Sequence, residues 1–183
     1  LSEVAQALHE CGVEAEIEWI GNQAVQGCIA CYKCKGLGHC LFRDNLMTRL
    51  EKKVEECDGL IVGSPVYYAG PNGALCAFLD RLFMSHGKHL QYKPAASVAV
   101  CRRGGASATF DRLNKYFTIN NMPLVPSQYW NSVHGRDFGE ARQDGEGLQT
   151  MRTLAKNMVW LLNNLRGSEL PTPEEPIKTN FLR

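Results

Sequence analysis

The sequence has no run of the roughly 18 apolar residues that a membrane span requires, so no membrane partner is expected. It has no positively charged start leading into an apolar core, which argues against a secretory leader and for a cytoplasmic protein. No basic run is longer than the pair Arg102-Arg103, and the formal net charge is only +1. Nucleic-acid binding, which normally needs a basic face, is therefore not expected. Internal repeats and low-complexity tracts are missing as well, and so is an initiator methionine, since the chain opens on Leu1. What remains is ordinary for one globular domain: 183 residues, 44% hydrophobic and 21% charged.

Cysteine is not scarce. There are 8, and Cys28, Cys31, Cys34 and Cys40 crowd together with the spacing C-x2-C-x2-C-x5-C. A disulfide framework is usually spread along a secreted chain, so metal binding or redox use competes with it here. The first three have the close spacing by which one turn of chain wraps a cubane iron–sulfur cluster, with Lys33 and Lys35 at hand to offset its negative charge. Free thiols, a redox dithiol and a zinc site, to which His39 could contribute, stay open as alternatives. Gly27, Gly36 and Gly38 supply the turns such a loop needs. The remaining Cys11, Cys57, Cys76 and Cys101 stand singly among apolar residues and read as small core residues.

Periodicity organises the rest. Leu1, Val4, Ala5 and Leu8 form a helical stripe that Gly12 ends, as a left-handed residue would. Val13, Ala15, Ile17 and Trp19 alternate with glutamates, which predicts an edge strand with one wet face. After the cysteine loop, Asp44 is placed to cap a helix with the stripe Leu46, Met47, Leu50 and Val54. The apolar runs Gly59 to Gly63 and Ala95 to Cys101 read as strands buried on both faces. Helices are predicted with the stripe Leu75, Phe78, Leu79, Leu82 and Phe83, over Ala106 to Phe117, and over Glu146 to Leu165. A strand interrupted by Pro123 and Pro126 is predicted over Met122 to Trp130, with Tyr129 and Trp130 in a core or an interface.

Helices and buried strands in strict alternation predict an α/β domain with a doubly wound parallel sheet. The leading helix has no strand before it, so a first strand and its loop are expected to belong to the natural protein and to be missing from this sequence. In the order 2-1-3-4-5 the alternating segment would then be the second, edge strand. The domain is expected over 1–166. The tail 167–183, with Pro171, Pro173 and Pro176, should be extended. Its terminal Phe181-Leu182 pair needs a covering surface, in keeping with a homodimer or larger assembly.

Two loops leave buried strands where such sheets bind ligands. In Ser64-Pro65-Val66-Tyr67-Tyr68-Ala69-Gly70-Pro71-Asn72-Gly73, the tyrosines offer a flat face to a planar ring and the glycines let backbone N–H groups approach its edge. A loop whose tyrosines simply half-bury against the domain is the bland alternative. In Arg102-Arg103-Gly104-Gly105, an arginine pair at a helix start suits a flavin or nicotinamide phosphate, or else a merely solvated helix end. His134 follows a strand and is expected to border the same cleft. His86 and His89 are expected to stabilise a helix C-terminus.

The segments Gly59-Leu-Ile-Val-Gly-Ser-Pro-Val-Tyr-Tyr68, Asn72-Gly73 and Phe78-Leu-Asp-Arg81 resemble the third strand, flavin loop and following helix of the flavodoxin-like NADPH-dependent FMN reductases. The resemblance covers roughly Leu1 to Trp130. The cysteine loop and Asp44 match a branch of that family, the iron–sulfur flavoproteins. It implies FMN held by Ser64, Pro65, Val66, Tyr67, Tyr68, Asn72, Gly73, Arg102, Gly104 and Gly105, with NAD(P)H as co-substrate. It also implies Cys28, Cys31, Cys34 and Cys40 as ligands of a 4Fe-4S cluster. The family's phosphate-gripping turn after the first strand has no counterpart in the sequence. The expected function is an FMN-dependent oxidoreductase passing electrons from NAD(P)H through flavin to a quinone, another flavin or a metal ion. The alternative is an electron-transfer protein working with a ferredoxin-type partner. No side chain is assigned as a general acid or base, because flavin carries the chemistry. The balanced charge fits an enzyme better than an acidic electron carrier. A flavin-free scaffold module is disfavoured by the loop chemistry.

Overall fold

The computed structural model describes residues 1–177 and 179. Three parallel strands form its centre: β1 (Leu60–Tyr67), β3 (Ala95–Cys101) and β4 (Ser132–His134). A short β2 (Gly70–Pro71) turns back antiparallel on the end of β1, giving the order β2-β1-β3-β4. The register Leu60 with Ala95 through Pro65 with Val100 is the parallel pairing that the two buried apolar runs predict.

Helices cover both faces. On one side α3 (Asn45–Glu56), α4 (Gly73–His86) and α5 (Ala106–Thr118) pack Met47, Leu50, Phe78, Leu79, Leu82, Leu113 and Phe117 over Val62 and Ala95. On the other, α1 (Ser2–Glu10) and α6 (Gly145–Leu165) pack Val4, Leu8, Met151, Leu154 and Met158 over Ala96, Val98 and Val133. Residues alternate between the two clusters along β1 and β3, because successive side chains of a strand point to opposite faces. The helix ends follow their sequence signals. Asp44 Oδ1 accepts from the Met47 N–H at 2.8 Å, and Gly12 beyond α1 takes φ +77°.

Three sequence expectations are corrected. Val13 to Trp19 makes no ladder hydrogen bonds among the described residues. Instead Val13 and Ala15 pack on one core cluster, Ile20 packs on the other, and Glu16 and Glu18 pair with Lys53 of α3. Alternation selects a face, but a strand also needs a neighbouring ladder, and the outer edge of Leu60 to Pro65 carries none among the described residues. The last strand falls at Ser132–His134, not over Met122 to Trp130, where only Leu124 bridges Ala95. Pro123 and Pro126 have no N–H to give a ladder there. Cys11 is exposed, not core, because it sits where α1 ends and turns toward solvent. Tyr129 and Trp130, expected in a core or an interface, lie outside the core and pack on each other with ring centroids 5.0 Å apart and planes tilted by 52°.

Residues 168–177 carry no helix or strand, and Phe181-Leu182 lie outside the described residues. No described helix is long and apolar enough to cross a membrane.

Candidate functional site

β1 ends in a tight hairpin. Val66 and Tyr67 pair with Pro71 and Gly70, and the two residues between, Tyr68 and Ala69, take φ +49° and +56°. Positive φ at both central positions is the habit of the type I′ hairpin turn, which usually employs Asn-Gly. Side chains tolerate that region at a cost of order 1 kcal/mol each, and such strain gathers at ligand-handling loops. The consequence here is a fully exposed Tyr68 ring beside a half-exposed Tyr67. Beneath them Ser64 is buried. Its hydroxyl accepts from the Asn72 N–H at 2.9 Å and donates to the Pro65 carbonyl at 2.8 Å, tying the two ends of the loop together. Asn72 then caps α4, accepting from the Leu75 N–H at 3.1 Å, and Gly73 opens the helix.

The second loop meets the first. Gly105 has φ +92°, and a Cβ built on it would fall 2.8 Å from both the Ala69 Cα and the Val66 Cγ1. Only glycine permits that approach, so Val66, Ala69, Gly104 and Gly105 lie together at the carboxyl edge of the sheet. The parallel pairing of Pro65 with Val100 delivers both loops to this edge.

Arg102 and Arg103 turn toward an open cleft of about 510 Å³, which they line with His134, Arg136, Asp137, Glu140 and Asp144. His134 borders the cleft as its position predicts, although it ends β4 and does not follow the strand. Two carboxylates opposite the arginines stay ionised. Partial burial pushes Asp144 up, but the N–H groups of Gly147 (2.9 Å) and His134 (2.6 Å) and the His134 ring outweigh it. Glu140 is held low by the N–H groups of Asp137 and Arg136 at 3.0 and 2.8 Å, with help from the Arg136 and Arg102 charges. The cleft thus offers guanidinium donors to a phosphate and carboxylate acceptors to hydroxyl or amide groups.

The cysteine loop closes a second, smaller pocket. Cys28, Cys31, Cys34 and Cys40 all line it, with Ile29, Leu41, Phe42 and Met84 as an apolar wall. The tight turns between the first three cysteines come from Ala30 (φ +52°) and Tyr32 (φ +56°), whereas of the three glycines expected to make them only Gly38 is left-handed. A single turn of helix, α2 (Cys34–Leu37), follows. The Ala30 N–H reaches Cys28 Sγ at 3.5 Å, and Cys34 Sγ donates to the Met84 carbonyl at 3.5 Å. Burial raises the Cys34 thiol pKa, and the nearby Cys40, Cys31 and Cys28 raise it further, so without a metal this thiol stays protonated.

Arg81, which sequence reasoning did not single out as a site residue, is the base of this pocket. It is 1% exposed. Its Nε donates to Cys40 Sγ at 3.5 Å, and its NH1 to Asp44 Oδ2 at 2.6 Å and to the Gln26 carbonyl at 3.4 Å, while NH2 donates to the Phe42 carbonyl. Burial alone would lower the guanidinium pKa, but Cys40 and Asp44 more than offset it. Buried Glu51 works alongside, accepting from the Cys40 N–H at 2.8 Å and from Arg43 NH1 at 3.0 Å. The signal was present: on α4, Arg81 and Ser85 occupy the i+3 and i+7 positions after Phe78, on the apolar face, where polar residues are informative.

The donor set fits an iron–sulfur cluster. Four thiolates around one zinc at 2.3 Å would stand about 3.8 Å apart. No trio of these cysteines brings its sulfurs within 4.8 Å of one another. His39 turns away, its Nδ1 lying 3.0 Å from the Cys40 carbonyl, and does not line the pocket. Wider-spaced thiols with N–H groups and a guanidinium aimed at sulfur are what an anionic cubane needs.

Residues 1–137 match the family model described as NADPH-dependent FMN reductase. An iron-sulfur flavoprotein of Methanocaldococcus jannaschii is 32% identical over 165 residues, covering 86% of this chain and 85% of that protein. Among solved structures, RosB, with a bound formylated riboflavin phosphate intermediate, superposes with a TM-score of 0.72 at 15% identity, covering 100% of this chain and 85% of that one. FerB, a flavoenzyme NAD(P)H:(acceptor) oxidoreductase from Paracoccus denitrificans, gives a TM-score of 0.63 at 16% identity, covering 89% and 87%. With the parallel β1, β3 and β4 and the matched residues in agreement, the chain belongs to the NADPH-dependent FMN reductase family and is an FMN-dependent oxidoreductase of flavodoxin-like fold.

Proposed function

We propose that this oxidoreductase has two redox centres, FMN at the joined loops and a 4Fe-4S cluster in the four-thiol pocket, and that NAD(P)H approaches through the arginine-lined cleft. The observation that carries the reading is the meeting of Gly105 with Val66 and Ala69, which builds one ligand edge from two separate strand ends. FMN bound there would take hydride from NAD(P)H and release electrons one or two at a time, and a cluster would relay them singly. Pro65, Val66, Tyr67 and Tyr68 would flank the isoalloxazine ring. The backbone of Gly104 and Gly105, with Asn72 and Gly73, would face its polar edge, and Ser64 would keep the loop's shape. Arg102 would take a phosphate.

Cys28, Cys31, Cys34 and Cys40 would hold the cluster, and the Arg81 charge would offset its negative charge. The chain's similarity to iron-sulfur flavoproteins supports this assignment. A small-molecule acceptor such as a quinone, a flavin or a metal ion fits the open flavin edge. A second reading, electron exchange with a ferredoxin-type protein, is favoured by one observation: the thiol pocket is lined by exposed Ile29, Tyr32 and Leu41, a surface a small redox protein could cover. The reading places the protein in the cytoplasm as a homodimer or larger assembly, with 1–166 as the flavin domain and the remainder as a tail.

The test is an air-free purification of the full-length protein with absorption spectroscopy and iron, sulfide and flavin analysis. Cys31→Ser should abolish iron while retaining flavin. Unchanged iron content in that variant would remove the cluster from the account.

A further inference from the structure

On the face of α4 that turns toward α3 lies a group the flavin chemistry does not use. Glu55 of α3, His86 at the end of α4, and His89 in the 3-10 turn Gly87–Leu90 each present one ligand atom, and the three atoms lie within 4.8 Å of one another. The backbone is shaped for this. Where α4 tightens into the 3-10 turn, side chains three apart eclipse, which sets His89 over His86 with ring centroids 5.4 Å apart. Gly87 leaves room beside the turn for Asn120, since a Cβ there would fall 2.3 Å from Asn120 Oδ1.

His86 is the informative member. It is 2% exposed and stands between two carboxylates, with Nδ1 3.3 Å from Glu51 and Nε2 3.2 Å from Glu55. Nδ1 also lies 2.9 Å from the Ser85 hydroxyl. A neutral imidazole has one N–H. With that hydrogen on Nδ1, facing Glu51 and Ser85, the Nε2 lone pair points at a carboxylate oxygen, an acceptor facing an acceptor. The other tautomer relieves this by donating from Nε2 to Glu55 while the Ser85 hydroxyl donates to Nδ1. A metal ion between Nε2 and Glu55 relieves it equally, and a second imidazole on the same spot favours the metal. Donation from the far nitrogen to a carboxylate is also how metal-bound histidines are usually oriented.

We propose that Glu55, His86 and His89 bind a divalent transition-metal ion of the zinc class, with Glu51 as the carboxylate that orients His86. Two imidazoles and one carboxylate are the donors of open, three-residue zinc sites and are unsuited to calcium or magnesium. Glu55 and His89 are exposed, so water can fill the fourth position. The ion would clip the last turn of α3 to the end of α4. Glu51 also accepts from the Cys40 N–H, so the clip would stiffen the base of the cysteine loop from behind without touching a thiol.

Cobalt(II) titration of the full-length protein, without air, tests this by the colour of the bound ion. A parent form with Cys28, Cys31, Cys34 and Cys40 all replaced by Ser removes the pocket's thiolates from the comparison. In that form one cobalt should bind with visible d–d bands and no thiolate-to-cobalt charge-transfer band. His89→Ala, and separately Glu55→Gln, should weaken binding at least tenfold, and both positions are exposed enough for the fold to survive. The proposal is overturned if, in that parent, His89→Ala and Glu55→Gln leave cobalt bound as tightly as before. It is equally overturned if the unsubstituted protein binds cobalt only with the charge-transfer band and the four-serine parent binds none.

Discussion

The Nε of Arg81 donates to Cys40 Sγ at 3.5 Å, and this contact sets a buried positive charge directly behind the last cysteine of the loop. Lys33 and Lys35 were the expected counter-charges, but both are exposed, and Lys35 sits over the Tyr32 ring at 5.1 Å. An exposed ammonium is screened by solvent, whereas a buried guanidinium is not. Arg81 is therefore the group that tunes the pocket, and it also fastens the loop through the Phe42 and Gln26 carbonyls.

Arg81→Met should destabilise the protein by about 3 kcal/mol, since it leaves several buried acceptors unmatched. Arg81→Lys should recover part of that, keeping the charge and losing the fork. Urea unfolding at constant m-value measures both. A loss below about 0.5 kcal/mol, the range of ordinary surface changes, would show that the arginine is not a structural clamp.

Gly105→Ala should separate the two loops, because its Cβ would collide with Ala69 and Val66 and its φ of +92° disfavours any side chain. A stability loss of about 1–3 kcal/mol is expected, with flavin affinity reduced more than tenfold. Fluorescence titration with FMN beside a thermal melt separates the two effects. Wild-type flavin affinity would mean that the ligand lies elsewhere.

Tyr68→Ala makes the complementary case. Tyr68 is fully exposed, so the fold should lose less than about 0.5 kcal/mol. Flavin binding should weaken by about 1 kcal/mol, the usual worth of an aromatic pair. Flavin retained on dilution as in the parent would contradict the placement of the ring.

Asp44 predicts an acid limb. Partial burial raises its pKa, but the Met47 N–H, the Arg81 contact and the Leu46 N–H together bring it below the ordinary aspartate value. A depressed carboxyl stabilises the fold above its unfolded pKa, near 4, and loses that contribution as pH falls through the lower folded value. Asn is as good a helix cap, so Asp44→Asn should remove the charge effect and flatten the stability curve below about pH 4 while leaving the cap. Urea midpoints measured across that range check it, and identical acid limbs would show that the carboxylate charge plays no part.

Much of the fold was legible because burial leaves periodic marks. The runs at Leu60 to Val62 and Val98 to Val100 announced buried parallel strands, and Asp44 and Gly12 announced helix ends. The segment Val13 to Trp19 misled because alternation records a wet and a dry face, and packing against α3 and the core satisfies that without a ladder. Of the site, the two loops and four cysteines could be named from composition and spacing. That Gly105 touches Ala69 could not, since the contact joins residues 36 positions apart through sheet register. Arg81 and Glu51 were missed, and His86 was read only as a helix-end residue, for a related reason: partners brought by α3 and the cysteine loop make them interior groups, and one helix read alone does not show its neighbours.

The two-centre account is tested most directly by titrating the full-length protein with NADPH in the absence of air while recording its visible spectrum. The account expects flavin absorbance to bleach first, then a broad absorbance near 400 nm in proportion to bound iron, with Cys31→Ser losing only the second phase. Bleaching of flavin alone, in protein that carries no iron or sulfide after reconstitution, would contradict it.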